Sequence, residues 1–447
     1  MLKKVGLISL GCARNLVDSE VILGSLEREG FVVSSGAKSV DICVINTCAF
    51  IGPAREESVD TVLEAGLLKK EGRIKKLVVC GCLPQAYKKD LAKELPEVDL
   101  FVGTSDFPKI GRLLKKLSEE DGKGAYAVSE TLDYLYDEKS PRFSLVPKHY
   151  AYVKISEGCS NFCSYCIISR LRGSFRSRTV RSVEEEVRSM SRSGALKEIN
   201  LVGQDTTLFG FDIYGKVVFP ELLRRLCSMK NGPEWLRVLY THPAHYTDAL
   251  IDIIRESDNI CKYLDLPIQH ISDNILKLMN RRTTKDDLVR LIARLKDDIP
   301  GITLRTSIIV GFPGETKKDF KELINFVKDT EFDRLGAFLY SEEEGTAASR
   351  MKNKVPSDVA QERLDELMKL QKDISTQRNR RFLGKRVRVL IDEKPDSSGS
   401  GFFGRTEADA PETDGGVYVS GKGIRVGQFY DVKITDTLEY DLVGEKI

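Results

Sequence analysis

The sequence predicts an α/β chain in three parts. These are an amino-terminal domain with an open, mostly parallel sheet, a central partial barrel of six β/α units, and a small antiparallel β-barrel at the carboxyl end. Three observations predict this. Short β-rich apolar runs alternate with amphipathic runs from residue 1 to about 350, the pattern of a parallel sheet with helical crossovers. A long helical run, 357–381, breaks that alternation. Beyond it lie short strand-like runs separated by glycine-rich turns, the pattern of a small barrel. At 447 residues the chain also exceeds what one hydrophobic core usually organises.

In the first part, residues 1–136, "KVGLIS", "DICVIN", "KKLVVC" and "DLFVG" read as strands, and "VDSEVILGSLEREG" as a helix ending at Gly30. Residues 137–149 fall in the polar stretch "DEKSPRFSLVPKHY", whose two prolines mark a linker. In the central part, residues 150–380, the strand-like runs are "YAYVKIS", "EINLVG", "LRVLYTH", "YLDLPI", "TLRTSIIVG" and "RLGAFLY". Helical runs such as "SVEEEVRSMSRSG", "YTDALIDIIRES" and "DFKELINFVKD" separate them. A reactive centre is expected at the carboxyl ends of these strands. In the last part, residues 381–447, "KRVRVLIDE", "FFGRTEA", "GGVYVSG" and "QFYDVKITDT" read as strands, with "SSGSG" among the turns.

Composition excludes some classes of function. A formal net charge of +2 gives no whole-molecule pull toward nucleic acid or a membrane. No stretch is long and apolar enough for a transmembrane helix, so no membrane partner is expected. The start, "MLKKVGLISLGCARN", has too short an apolar run for a signal-peptide core. A cytoplasmic location is therefore expected. There the ten cysteines stay reduced, and clustered ones read as metal ligands or catalysts.

Three of the ten crowd into "EGCSNFCSYC". Cys159, Cys163 and Cys166 have the spacing C-x3-C-x2-C and follow the first strand of the central part. Thiolates so spaced wrap one compact metal centre. A zinc knuckle lacking its fourth ligand, or plain core cysteines, would also give this pattern. Structural zinc wants four ligands, however, and the nearest histidine, His149, precedes the strand. Three thiolates suit a [4Fe–4S] cluster with one iron left open. "CSNFCSYC" at the top of the first strand of a six-unit barrel resembles the signature of radical S-adenosylmethionine enzymes. The resemblance implies that S-adenosylmethionine completes the open iron and that a low-potential electron donor triggers its cleavage to a hydrogen-abstracting radical. It also places Tyr165 near the adenine, although a packing aromatic would read the same way.

Cys12 follows the run "VGLISLG", Cys48 ends "DICVINT", and Cys82 lies just past "LVVCG". All three thus stand at carboxyl ends of strands in one sheet, where an open α/β sheet binds ligands. Cys43 and Cys80 fall inside apolar runs, and Cys227 and Cys261 in or beside helices of the barrel; these read as small hydrophobes. "SLGCARNLVDSE", "INTCAF" and "VVCGCLPQ" resemble the amino-terminal domain of the methylthiotransferases, and the whole chain follows that family's order: this domain, the radical barrel, then a TRAM domain. The resemblance implies a second [4Fe–4S] cluster on Cys12, Cys48 and Cys82, carrying sulfide or polysulfide on its open iron. S-adenosylmethionine is then both methyl donor and radical source. Ala13 and Ser169 stand where the family often has proline, and neither change removes a ligand.

The family divides between enzymes acting on adenosine in transfer RNA and one acting on an aspartate of a small-subunit ribosomal protein, free or on the ribosome. "CARNLVDSE", "HYAYVKISEGC", "RGSFRSR" and "GQDTTLFG" resemble the latter branch more closely. The tail agrees: residues 385–447 hold nine basic and twelve acidic residues, the balance for a basic protein partner rather than a phosphate backbone. A non-catalytic iron–sulfur protein that binds the ribosome or RNA is the reading of a different class. The run Arg170, Arg172, Arg176, Arg178 and Arg181 could pair with a substrate carboxylate, contact phosphate, or be structurally paired. Gln204 and Asp205, at the end of a barrel strand, could hold a ligand or cap the following turn. "IIVGFPGE" resembles the family's S-adenosylmethionine contact, with Gly311 letting the backbone approach the adenosine. Arg305, His242, Gln269 and His270 are expected to point toward the barrel mouth.

Overall fold

The computed structural model describes residues 3–37, 40–119, 125–394 and 401–447. The amino-terminal domain runs β1 (Lys4–Ser9), α1 (Ala13–Arg28), β2 (Val32–Ser35), β3 (Ile42–Thr47), α2 (Gly52–Lys70), β4 (Lys76–Gly81), α3 (Cys82–Glu94), β5 (Leu100–Val102), α4 (Ile110–Glu119) and β6 (Ala125–Ala127). Every strand pair is parallel, in the order β2-β1-β3-β4-β5-β6. Each apolar run expected as a strand is one. The edge strands β2 and β6 are additions that no apolar run announces.

The central domain opens with β7 (Tyr150–Lys154), β8 (Ser156–Glu157), α5 (Ile168–Arg172), β9 (Arg176–Ser177), α6 (Val180–Ser191) and β10 (Glu198–Val202). It continues through α7 (Phe211–Tyr214), α8 (Phe219–Cys227), β11 (Trp235–Val238), α9 (Asp248–Glu256), β12 (Ile260–Asp265), α10 (Asp273–Leu278) and α11 (Lys285–Asp298). β13 (Thr303–Val310), α12 (Lys317–Thr330), β14 (Arg334–Leu339) and α13 (Ser357–Asn379) complete it. Among the described residues the sheet has six parallel strands, ordered β14-β13-β12-β11-β10-β7, and stays open between β14 and β7. Helix starts are encoded locally. Thr284 and Thr316 begin α11 and α12 with capping boxes completed by Asp287 and Asp319. The apolar faces of these helices meet the sheet in one core that includes Leu201, Val238, Leu264, Leu304 and Leu323.

An open barrel has two unsatisfied edges, and the amino-terminal domain reaches both. Helix α1 is buried on two sides: Ile22 and Leu26 pack into its own sheet, while Val17 and Val21 pack with Tyr150 and Tyr152 of β7. On the β14 side, the backbone N–H of Gly52 donates to Ser341 Oγ (2.9 Å), and Arg55 pairs with Glu343 (2.8 Å). The stretch 137–149 holds no helix or strand, as expected, but it is a packed strap rather than a loose tether. Its Arg142 ion-pairs with Glu20 of α1 and, at 2.7 Å, with Glu186 of α6.

The tail is a closed barrel of β15 (Arg386–Glu393), β16 (Phe402–Arg405), β17 (Val417–Ser420), β18 (Phe429–Thr437) and β19 (Leu442–Lys446). It is antiparallel except for β17 against β19, and most of "SSGSG" lies outside the described residues. The loop between β16 and β17 plugs the central sheet from the amino-terminal ends of its strands. Asp409 pairs with Arg334 (2.6 Å), Asp414 accepts from the Tyr263 hydroxyl (2.6 Å), and Glu412 accepts from the Tyr150 hydroxyl (3.1 Å). Asp392 is held by Arg405 (2.6 Å) and lies 2.8 Å from His149. Asp392, Asp409 and Asp414 are therefore spent inward, whereas Glu393, Glu407, Asp436, Glu439 and Glu445 stay exposed, so only part of the tail's negative charge faces outward. No helix among the described residues is long and apolar enough to cross a membrane.

Candidate active site

Two cysteine triads stand at the carboxyl ends of the two parallel sheets. In the amino-terminal domain, Cys12 precedes α1 in an extended conformation, Cys48 follows β3, and Cys82 begins α3 directly after β4. These strands are adjacent, so the three thiols converge: each of Cys48 and Cys82 lies within electrostatic reach of the other and of Cys12. Gly81 is at φ +97°, and a side chain there would collide with Asn46 and the Thr47 carbonyl, so only glycine turns the chain tightly enough to bring Cys82 in. The backbone of Cys48 is fixed by Ser58, whose hydroxyl accepts from its N–H (3.0 Å) and donates to its carbonyl (2.8 Å).

Two arginines attend this triad. Arg14 donates to Cys12 Sγ (3.4 Å) and Arg172 to Cys82 Sγ (3.4 Å). Burial works to raise the Cys12 pKa, but Arg14 outweighs it and the thiol falls below its ordinary range. Cys48 receives no hydrogen bond from either arginine, and Arg14 offsets its burial only weakly. Burial, reinforced by Cys82 and Cys12, pushes it up to about 12. Arg172 comes from the central domain and is also ion-paired to Asp18 of α1, which Lys154 pairs in turn. Glu157 completes this buried network through Lys154 (2.5 Å) and Arg172 (3.5 Å).

The second triad lies on the loop after β8. Its backbone is stitched to the rest of the barrel: the Ser164 N–H donates to the Met279 carbonyl (2.9 Å), and the Cys159 N–H to the Gly173 carbonyl (3.2 Å). Burial pushes Cys159 up to about 11 and Cys166 up to about 12. These thiols are protonated until a metal displaces their protons. Among the described residues, the group whose ligand atoms all lie within 4.8 Å of one another is Asp205, His242 and His245; neither cysteine triad is so tightly drawn. Three soft donors spread wider than a single-ion site fit a cluster better than zinc.

A cavity of about 350 Å³ opens beside the barrel triad, where the amino-terminal domain meets the barrel. Cys159, Cys163 and Cys166 line it from the barrel, Arg14, Phe50 and Ile51 from the amino-terminal domain, and Ala410 and Thr413 from the tail loop. Tyr165 forms part of the wall and also packs edge-on against Phe312 (6.4 Å). Gln204 donates to Glu157 (2.7 Å) and lines the cavity, while its buried Oε1 has no hydrogen-bond partner among the described residues. Asp205 does not offer itself to a ligand. It accepts from Asn161 (2.8 Å) and Thr207 (2.6 Å) and lies 2.8 Å from His245 Nδ1. Burial alone would raise its pKa, but His245 holds it down at about 2, and through Asn161 it braces the Cys159 loop.

Arg305 lines the cavity but is pinned by Asp265 (2.9 Å) and Asp414 (3.4 Å). Gly311, at φ +74°, sits beyond the wall formed by Ser307 and Ile309; its missing side chain leaves room for Ala360 of α13. His242 and Gln269 face the cavity, whereas His270 is fully buried away from it and accepts from the Ser272 N–H (3.0 Å). The arginine run is absorbed structurally: Arg178 pairs with Glu186, Arg181 with Glu185 (2.6 Å), Arg170 donates to the Glu344 carbonyl (2.7 Å), and Arg176 to backbone carbonyls. Cys43, Cys80 and Cys261 are buried in strands, consistent with a packing role. Sequence reasoning did not single out Arg14, Asp18 or Glu157. The signal for the first two was a helix start, "ARNLVDSE", with polar residues on faces that turn out to be buried.

Three family models match successive spans of the chain. Residues 4–103 match the uncharacterized protein family UPF0004, residues 153–327 the radical SAM superfamily, and residues 383–447 the TRAM domain. Radical SAM proteins use a [4Fe–4S] cluster and S-adenosylmethionine. Among solved structures, the radical S-adenosylmethionine methyltransferase TsrM from Kitasatospora setae, with cobalamin and a [4Fe–4S] cluster, is 17% identical, with a TM-score of 0.58 over 78% of this chain and 77% of that one. It shares the fold. The chain is 46% identical over 445 residues to the ribosomal protein uS12 methylthiotransferase RimO of Geobacter sulfurreducens, covering 100% of this chain and 99% of the relative. It is 45% identical to the protein of that name from Clostridioides difficile, covering 99% and 98%. On these full-length matches, the chain belongs to the RimO family of radical SAM methylthiotransferases.

Proposed function

We propose that the protein adds a methylthio group to the β-carbon of an aspartate in the small-subunit ribosomal protein uS12, in the cytoplasm. The observation that carries the reading is the single cavity, lined by one cysteine triad and joined to the other through Arg14. Cys159, Cys163 and Cys166 would hold one [4Fe–4S] cluster, and Cys12, Cys48 and Cys82 a second that bears the sulfur. When bound, these clusters and S-adenosylmethionine supply the electron, the hydrogen-abstracting radical and the methylated sulfur.

The chain's own residues cage, orient and enclose. Tyr165 and Gln204 form the wall beside the first triad, where a nucleoside would lie; Asp205 and Gly311 act one layer back, bracing the Cys159 loop and admitting α13. Phe50, Ile51, Phe338 and Leu339 contribute an apolar lining that limits water. The partners are uS12, free or on the ribosome, and a low-potential electron donor. Transfer RNA is the less favoured substrate, because the relatives matched along the full chain are named for uS12.

The test incubates reconstituted protein with S-adenosylmethionine, reductant and either uS12 or transfer RNA, and then seeks the added methylthio mass. Modification of uS12 at an aspartate is expected. Product on transfer RNA alone, or no 5′-deoxyadenosine at all, contradicts the reading.

A further inference from the structure

The cavity holds three cationic side chains, and they are not equivalent. Arg305 is neutralised by Asp265 and Asp414. Arg281 donates to the Pro267 carbonyl (2.7 Å) and lies beside Cys163 and Tyr165, on the side of the barrel triad. Arg14, like Arg281, forms no ion pair with any described carboxylate, but it lines the cavity from the amino-terminal domain, beside the other triad.

Three contacts fix the Arg14 guanidinium. Nε donates to Cys12 Sγ (3.4 Å), Nη1 donates to the Gly203 carbonyl at the end of β10 (3.3 Å), and the ring of Tyr240 lies 4.4 Å beneath. Nη2 has no hydrogen bond among the described residues, and the side chain lines the cavity. Arg14 also bears electrostatically on Cys48 and on Cys166, so one side chain reaches both triads. A guanidinium held flat with an open donor edge is the geometry that receives a carboxylate.

We propose that Arg14 anchors the substrate's own carboxylate between the two triads and so selects an acidic acceptor residue. This rests on the aspartate reading above. In aspartate the carboxylate is bonded directly to the β-carbon. Gripping the one therefore places the other in the gap, where sulfur from one side and a radical from the other must both reach it. The arginine run at 170–181, the other source of cations in the sequence, is taken up by Glu186, Glu185, Asp18 and backbone carbonyls. An asparagine acceptor would leave this buried charge without a counter-ion.

The experiment measures binding of fluorescent peptides spanning the uS12 acceptor loop to the cluster-reconstituted full chain. One peptide carries the acceptor aspartate and the other asparagine at that position; the proteins are wild type, Arg14→Gln and Arg14→Lys. Wild type is expected to prefer the aspartate peptide by about tenfold or more, the range of a charge-assisted hydrogen bond. Arg14→Gln is expected to bring the two peptides within about twofold of each other, with Arg14→Lys in between. Preference that persists in Arg14→Gln overturns the anchor. So does equal loss of both peptides, which would mean that Arg14 only holds Cys12. A wild-type protein indifferent to the two peptides also overturns the anchor, whereas the aspartate reading stands or falls on where uS12 gains the methylthio mass.

Discussion

Replacing Arg172 by glutamine tests how the two domains are locked around the site. Arg172 is 5% exposed; it pairs with Asp18, 2% exposed, and with Glu157, 5% exposed. Glutamine keeps some hydrogen bonding but removes the charge, leaving two buried carboxylates to share Lys154. Breaking a buried pair from one side costs about 3–5 kcal/mol, because the partner's desolvation is no longer offset. For a cooperative unit of this size that corresponds to roughly a 3–5 °C fall in melting temperature. The assay is thermal unfolding of the cluster-free protein at pH 7.5, which separates the network from any contribution of iron. Arg172→Lys, which retains the charge without the fork, should fall by less. A glutamine variant melting within about 1 °C of wild type would refute the reasoning, since the network would then contribute about 1 kcal/mol or less.

Further outcomes follow from the same geometry. Cys159→Ala should abolish 5′-deoxyadenosine formation, whereas Cys12→Ala should still produce some of it but no methylthiolated uS12; chromatography of the nucleoside and mass spectrometry of uS12 separate the two. Gly81→Ala forces a side chain into Asn46 and the Thr47 carbonyl at φ +97°, and urea unfolding should show a loss of about 1–3 kcal/mol. His270 is held neutral by burial, which lowers its pKa to about 4 despite the favourable pull of Asp319. Its contribution is therefore complete above the unfolded value near 6.5 and is lost as pH falls toward 4. Between pH 7.5 and 5 this one group removes roughly 2 kcal/mol of stability, and His270→Gln should lose that much less over the same interval.

Much of this was legible in the sequence, for physical reasons. A strand buried on both faces must be a largely continuous apolar run, so β3 and β4 announce themselves. Cysteines placed just past such runs inherit a position at the sheet's carboxyl end. What stayed hidden depends on contacts between distant residues. β2, β6 and β19 are short strands whose pairing, not composition, makes them strands. The arginine run was visible as charge, but its partners Asp18 and Glu186 lie on helices that only folding brings close. The acidic tail suggested an outward-facing partner surface because nothing in its sequence shows Asp409, Glu412 and Asp414 turned into the barrel.

The central claim is that two separate three-cysteine cages open onto one space, and iron stoichiometry tests it most directly. Reconstituted wild type is expected to bind about eight irons per chain. The variant with Cys12, Cys48 and Cys82 all replaced by alanine should bind about four, and so should the variant lacking Cys159, Cys163 and Cys166. A wild type that saturates at four, or an amino-terminal triple variant that still binds eight, would contradict the account.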